Sequence, residues 1–442
     1  MTSTDRTLLR GGTVLSMDPD IGDLDAGDVL IEDGRIVAVE SDLDADAEVL
    51  DCSGRIVMPG FVNSHHHMFQ TALRSYWSDA LETDYFLQSR AGDRALFHQY
   101  APEDVYWGEF GGALENLAAG TTTVVDTSQC SYTPEHTDAA LEGIRRSGIR
   151  CVFSFSPVFG EFEPDPSYAH PDDIRRLVKH GGGPLVGLAL GYHVDDDLFR
   201  LSRELELPVF AHVNDVHTGR LLEDFESEGL LGPWLTYIHC LGLDESTWDV
   251  VERTGAKVSV SCIAEQTLGM GRLALQPALD HGVPVGFGTD AVSIHTVDFF
   301  SQMRAAYTLQ RGGIANLARE GGAEVRPVST RDILRMATLG GAQAAHLDHL
   351  VGSLTPGKRA DVIVLNARAL NAGPVNHAPG AVLQMDTGNV ETVLVDGRVV
   401  KRDGRLVGVD LDAVLDALSR SADGLLRRSG GPSVLLTSCR LD

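Results

Sequence analysis

Between residues 56 and 286 the chain alternates eight short apolar, β-branched runs with stretches of helix length. The runs are 56–62, 121–126, 150–156, 185–190, 209–213, 235–239, 257–261 and 283–286, and amphipathic segments separate several of them, at 102–118, 134–147, 172–180 and 243–254. Continuously apolar strands joined through helices belong to a parallel sheet that is covered on its outer face. Eight such units close a (β/α)8 barrel. A doubly wound open sheet is the competing architecture, but its first strand usually leads into a glycine-rich phosphate loop. Here the first strand leads into Asn63-Ser64-His65-His66-His67. The expected fold is therefore α/β, with a TIM-type barrel over residues 58–349.

The two ends of the chain read differently. Leu8–Met17, Asp28–Glu32 and Arg35–Glu40 are expected strands, with Asp33-Gly34 as a hairpin turn that needs positive φ angles. Residues 360–365 and 393–400 repeat this style around Asp396-Gly397. The two pieces are expected to pair into one small β-sandwich domain, formed from residues 1–57 and 350–442. A helix over 411–428 and a Gly-rich tail would end it.

Composition narrows the function. The 442 residues, 43% of them hydrophobic, suffice for a large barrel with a smaller unit attached. No run approaches the ~20 apolar residues of a membrane span. Residues 1–12 carry charges and no apolar signal core, so a cytoplasmic location is expected. Six cysteines without a CxxC pair (Cys52, Cys130, Cys151, Cys240, Cys262 and Cys439) argue against a thiolate zinc site or a disulfide framework. A formal charge of −27, from 63 acids against 36 bases, disfavours nucleic acid and anionic membranes as partners. A small-molecule substrate is the expected partner.

Catalytic groups of such barrels sit at the C-terminal ends of the strands. After the first strand come His65, His66 and His67; after the fifth, His212; after the sixth, His239; after the eighth, Thr289-Asp290. Side chains alternate along a strand, so His65 and His67 share a face and His66 points away. Imidazoles and a carboxylate at one mouth make a mixed N/O site suited to Zn²⁺ or another divalent transition ion. Taken singly, His212 has a duller explanation as a hydrogen-bonded core residue, and Asp290 as a helix cap. Their joint placement favours the metal.

Three motifs carry a resemblance. Met58-Pro-Gly-Phe-Val-Asn-Ser-His-His-His67 resembles the first-strand signature of the amidohydrolase superfamily, and Gly286-Phe-Gly-Thr-Asp290 its eighth-strand signature. Gly352-Ser-Leu-Thr-Pro-Gly-Lys-Arg-Ala-Asp-Val-Ile-Val-Leu365 resembles the segment that returns the chain to the sheet domain. Within that superfamily the chain is similar to the cytosine deaminase and triazine hydrolase branch. His65-His66-His67-Met68-Phe69-Gln70-Thr71 is similar to members acting on oxidised purines and hydroxylated triazines. The resemblance implies His65, His67, His212 and Asp290 as ligands of one divalent ion per chain, Zn²⁺ first and Fe²⁺ second. It also implies that His239 contacts the metal-bound water or the developing oxyanion, and that the chain assembles as a homo-oligomer, a dimer. Binuclear relatives bridge two ions with a lysine after the fourth strand. Here that stretch is Gly187-Leu-Ala-Leu-Gly-Tyr-His193, without one. His193 either lines the pocket or caps the barrel.

One departure bears on the chemistry. The branch usually carries a glutamate three residues after the fifth-strand histidine, where it shuttles a proton to the ring. This chain has Asp215 there, one methylene shorter. Glu265, beyond the seventh strand, faces the same mouth and is expected to take the larger role, with Asp215 binding substrate. Gln70 either reads polar ring edges or stabilises a turn. The expected reaction is hydrolytic deamination of an aminopurine, aminopyrimidine or aminotriazine by metal-activated water. Dehalogenation or cyclic amide hydrolysis on the same scaffold, a metal-dependent lyase, and a non-catalytic metal-binding protein are the alternatives. Asp290 and His239 weigh against the last.

Overall fold

The computed structural model of the chain describes residues 6–90, 95–156, 170–192, 194–319 and 325–430. Five strands open it: β1 (Arg6–Leu15), β2 (Asp23–Glu32), β3 (Arg35–Glu40), β4 (Glu48–Asp51) and β5 (Arg55–Pro59). The barrel strands follow: β6 (Phe61–His66), β7 (Thr121–Ser128), β8 (Arg150–Phe155), β9 (Val186–Tyr192), β10 (Val209–Val213), β11 (Leu235–His239), β12 (Lys257–Val260) and β13 (Val285–Phe287). Four more return to the first group: β14 (Val362–Asn366), β15 (Val390–Val395), β16 (Arg398–Arg402) and β17 (Arg405–Leu406).

Strands β6 to β13 pair in chain order and all in parallel, which is the expected (β/α)8 arrangement. A parallel bridge between His66 and Asp290 brings the last strand back to the first. Asn63 reinforces that closure, because its amide donates to Thr289 Oγ1 at 2.7 Å and its carbonyl accepts the Thr289 N–H at 3.1 Å. Helices Pro102–Ala118 and Pro134–Ser147 lie where amphipathic periodicity placed them. Each starts with proline, whose missing N–H costs nothing in a first turn, and the second ends on Gly148 at φ 78°.

The run 56–62, read from sequence as one strand, divides at Gly60. β5 pairs antiparallel with β14 in the terminal sheet, whereas β6 pairs parallel with β7 in the barrel. The chain changes sheets at a position that only glycine fits, since a Cβ on Gly60 would lie 2.2 Å from Thr122 Oγ1. Apolar content alone cannot show such a division, because both halves are buried.

The terminal segments form one sheet in the order β17-β16-β15-β14-β5-β1-β2-β3, with β4 on β1. A bridge between Arg35 and Arg359 ties β3 back to the approach to β14, so the sheet wraps a core that includes Leu9, Val29, Ile31, Val57, Val362 and Leu394. Both Asp-Gly turns adopt positive φ at both residues (50° and 75°; 53° and 78°) and abut one another. Beneath them Arg150, at the start of β8, grips Asp361 with two 2.9 Å bonds and so joins barrel to sheet. Such bidentate pairs fix orientation as well as adding energy. Among the described residues five cysteines are free and buried, and no helix is long and apolar enough to cross a membrane.

A pair of carboxyl groups lies inside the barrel wall. Glu109, from helix Pro102–Ala118, and Asp126, from β7, are both fully buried. Burial raises both pKa values, Asp126 to about 7 and Glu109 well above the carboxylate range, where the charge of Asp126 adds to the effect. The folded protein thus keeps protons that the unfolded chain releases near pH 4. The stability this confers is complete below about pH 4 and is lost as pH rises through about 7. Glu109→Gln, which cannot ionise, is expected to lose less Tm than wild type between pH 5 and 8, by a few degrees. Thermal unfolding across that window checks it; parallel curves for the two proteins would count against the buried pair.

Candidate metal centre and active site

Strand ends bring the chemistry together. β6 delivers His65 and His67, β10 delivers His212, β11 delivers His239, and the turn after β13 delivers Asp290. The rings of His65 and His67 lie 4.7 Å apart, those of His65 and His212 4.9 Å, and those of His212 and His239 5.3 Å. His65 Nε2 and His67 Nε2 stand 3.6 and 3.4 Å from Asp290 Oδ1. His239 and Asp290 both adopt positive φ, 69° and 57°. Such strain in non-glycine residues persists where the surroundings over-determine it, and it clusters at functional sites.

The two β6 rings are held from behind by one residue. Thr127, near the end of β7, meets His65 Nδ1 with its hydroxyl at 3.1 Å and accepts from His67 Nδ1 through its carbonyl at 2.9 Å. With Nδ1 engaged, each ring turns Nε2 toward Asp290, an arrangement typical of metal-ligating histidines. His65 Nε2 is buried and has no hydrogen-bond partner. Donors bound at ~2.1 Å around a tetrahedral ion stand about 3.4 Å apart, which is the spacing found between Asp290 and the β6 imidazoles. The donor set and its spacing therefore fit a divalent ion.

Electrostatics agree with that use. Burial lowers the His65 pKa against the pull of Asp290, so the ring is neutral and its lone pair available. Burial also opposes the charge of Asp290, but the contact with His65 and the neighbouring imidazoles of His67 and His239 outweigh it and hold the carboxyl well below its usual range. His239 goes the other way. Burial would lower it, yet the bond to Glu265 and the charges of Glu265, Asp290 and Glu82 raise it overall.

The remaining expected residues divide. Glu265 is fully buried, and its Oε1 accepts from His239 Nδ1 at 3.0 Å and from the Ser261 N–H at 2.7 Å. It grips the His239 imidazole through that one oxygen, while Oε2 is buried without a hydrogen-bond partner. Asp215 is exposed and caps the helix Val216–Ser227, accepting from the Thr218 N–H at 2.7 Å. Gln70 is fully buried, with its amide nitrogen donating to Tyr85 at 2.8 Å and its oxygen accepting from Ser293 at 2.6 Å. Both ends of that amide are thus engaged within the protein. His193 lies outside the described residues.

Sequence reasoning passed over Thr127 and Glu82. Thr127 hides in the run Thr121-Thr-Thr-Val-Val-Asp-Thr127, where only the register of β7 shows which threonine faces the histidines. Glu82 opens the helix Glu82–Arg90, and its N–H donates to the Leu268 carbonyl at 2.9 Å. Burial and the nearby Asp215 raise its pKa, and its charge reaches His239.

His66 points away from its neighbours, as alternation requires. Its Nδ1 lies 2.5 Å from the Asp290 carbonyl oxygen, and burial pushes its pKa down to about 3. His66→Ala is expected to retain wild-type metal content while losing about 1 kcal/mol of stability with the imidazole's bond, since the Asp290 carbonyl still accepts the His67 N–H. Elemental analysis of the purified variant, with a denaturant melt, checks both parts.

Comparison with known proteins gives a consistent result. The profile of the Amidohydrolase family matches residues 56–195 and 201–400. The 5'-deoxyadenosine deaminase of Methanothermobacter thermautotrophicus is 30% identical over 432 residues, covering 91% of this chain and 96% of that protein. The 5-methylthioadenosine/S-adenosylhomocysteine deaminase of Symbiobacterium thermophilum is 30% identical over 455 residues, covering 96% and 100%. Among solved structures, an adenosine deaminase from Xanthomonas campestris with bound zinc superposes with a TM-score of 0.83 at 23% identity, covering 95% of this chain and 98% of that one. Atrazine chlorohydrolase TrzN from Arthrobacter aurescens TC1, complexed with zinc, superposes with a TM-score of 0.81 at 23% identity, covering 94% and 99%. At those identities the solved structures establish the shared fold.

Proposed function

The chain belongs to the amidohydrolase family, and from that premise we propose that it hydrolytically deaminates an aminopurine nucleoside or a closely related amino-heterocycle. The observation that carries this reading is the convergence of His65, His67, His212 and Asp290 beside a His239 that is held by Glu265. The first four would hold one divalent ion, Zn²⁺ before Fe²⁺. When bound, that ion lowers the pKa of a coordinated water toward neutrality and so supplies hydroxide as the nucleophile.

The protein's own groups do the rest. Asp290 is charged at any ordinary pH and would take the proton that the water gives up. His239, with Nδ1 given to Glu265, presents Nε2 to the oxygen charge that develops as the C=N carbon becomes tetrahedral. Glu265 keeps that ring oriented and favours its protonated form. To Glu82, half-buried and close enough for its charge to act on His239, this reading gives the transfer of a proton to the substrate nitrogen. Water adds to the ring carbon, the amino group leaves as ammonia, and the ring retains the oxygen. A homodimer and a cytoplasmic location belong to the same reading and rest on the resemblance.

Ammonia release from a panel of aminopurine nucleosides, free aminopurines, aminopyrimidines and aminotriazines tests it. Turnover is expected on at least one amino-heterocycle, nucleosides first. Release of halide or amine, or ring opening without ammonia, would move the chemistry to another leaving group on the same scaffold.

A further inference from the structure

Resting on that reading of function, we propose that Gln129, with Ser154 beside it, is the polar edge of the substrate slot and reads the donor–acceptor edge of an aminopurine. Gln129 follows β7 at the C-terminal rim of the barrel and is 1% exposed. Neither its amide nitrogen nor its carbonyl oxygen has a hydrogen-bond partner in the protein. Leaving a buried donor or acceptor unpaired costs about 1–3 kcal/mol, and buried amides are therefore almost always satisfied. An amide that the protein leaves unpaired at both ends is open to a ligand.

The register of the strands says where it faces. Thr127 lies two residues earlier and sends its hydroxyl to His65 Nδ1, so that side of β7 looks toward the metal-binding rings. Gln129 is the first residue beyond β7, and the alternation of the strand carried on by that one step turns it to the same side, nearer the mouth. Ser154 pairs with Thr127 across β7 and β8 and so shares that side, and its Oγ is also buried without a partner. On the next strand stands Gly191, where a Cβ would come within 2.4 Å of Ser154 Oγ and 2.7 Å of Ser156 Oγ. The wall here is kept at backbone thickness, with hydroxyls and an amide lining it.

The chemistry of the slot follows. A carboxamide offers a donor and an acceptor side by side. That pair complements a ring nitrogen adjacent to an exocyclic amine or oxo group, as on an aminopurine. Gln70, the glutamine nearer the metal ligands in sequence, has both amide ends taken by Tyr85 and Ser293, whereas Gln129 has both to give.

The test compares Gln129→Leu with wild type on the same aminopurine nucleoside. An apolar side chain of similar size removes no bond made within the protein, so Tm and metal content are expected to stay at or above the wild-type values. The Michaelis constant should rise and kcat/KM fall about 10–10²-fold, since the substrate's polar edge is then buried unpaired. Calorimetric affinity for the oxopurine nucleoside product should weaken in parallel, and Ser154→Ala should cost less in the same direction. If wild type deaminates the nucleoside and Gln129→Leu keeps kcat/KM within about twofold, the proposal is overturned and the reading of function stands. A fall in Tm and activity together, with product affinity unchanged, would overturn it too by marking Gln129 as structural. If wild type releases ammonia from no member of the panel, the functional reading itself fails and takes the proposal with it.

Discussion

His65→Ala is expected to purify with little bound metal and to turn over about 10³–10⁴-fold more slowly than wild type. His65 is the ring at the middle of the cluster, 4.7 to 5.4 Å from the rings of His67, His212 and His239, and its Nε2 faces Asp290. Removing it takes away one ligand and also the side-chain contact that helps to keep Asp290 ionised. The loss should be chemical rather than structural. The His65 ring bonds to the Thr127 hydroxyl, while its backbone carbonyl still accepts from the N–H groups of Thr289 and Asp290. Circular dichroism indistinguishable from wild type, beside an empty metal assay, is the predicted signature. Full metal content with full activity would remove His65 from the ligand set.

Glu265→Gln should keep the metal and still lower kcat by about 10²-fold or more, within the range for general acid–base groups. The carboxylate accepts from His239 and the Ser261 amide through Oε1, so its loss acts at least on the ring. A glutamine keeps the shape but not the charge. Burial, which already opposes protonation of His239, then acts against weaker compensation, and the His239 pKa falls. The pH–rate profile should accordingly lose its limb attributable to protonated His239 at lower pH than in wild type. Asp215→Asn should change little by comparison, because that carboxylate is exposed and caps a helix. The reverse ranking of the two variants would return proton transfer to the fifth strand.

Much of this was legible in the residues. Eight apolar runs at strand length have few ways to be buried except as a closed parallel sheet, and histidines at their C-terminal ends can only converge there. Period-two alternation alone separated His66 from His65 and His67. Burial on both faces concealed the rest. The division at Gly60 depends on how closely Thr122 approaches, a tertiary fact with no local signature. The Thr127 hold on two imidazoles and the Glu265 grip on His239 depend on the relative stagger of neighbouring strands. Its position just beyond a strand end put Glu265 near His239, but not which of its two oxygens would hold the ring.

The central claim is that one ion, held by His65, His67, His212 and Asp290, drives hydrolytic release of ammonia. Metal-stripped enzyme titrated with Zn²⁺, with ammonia release from an aminopurine nucleoside followed at each addition, tests it most directly. The rate is predicted to be near zero without metal, to rise linearly, and to level off at about one equivalent per chain. A plateau only at two equivalents, or undiminished ammonia release from the stripped enzyme, would contradict it.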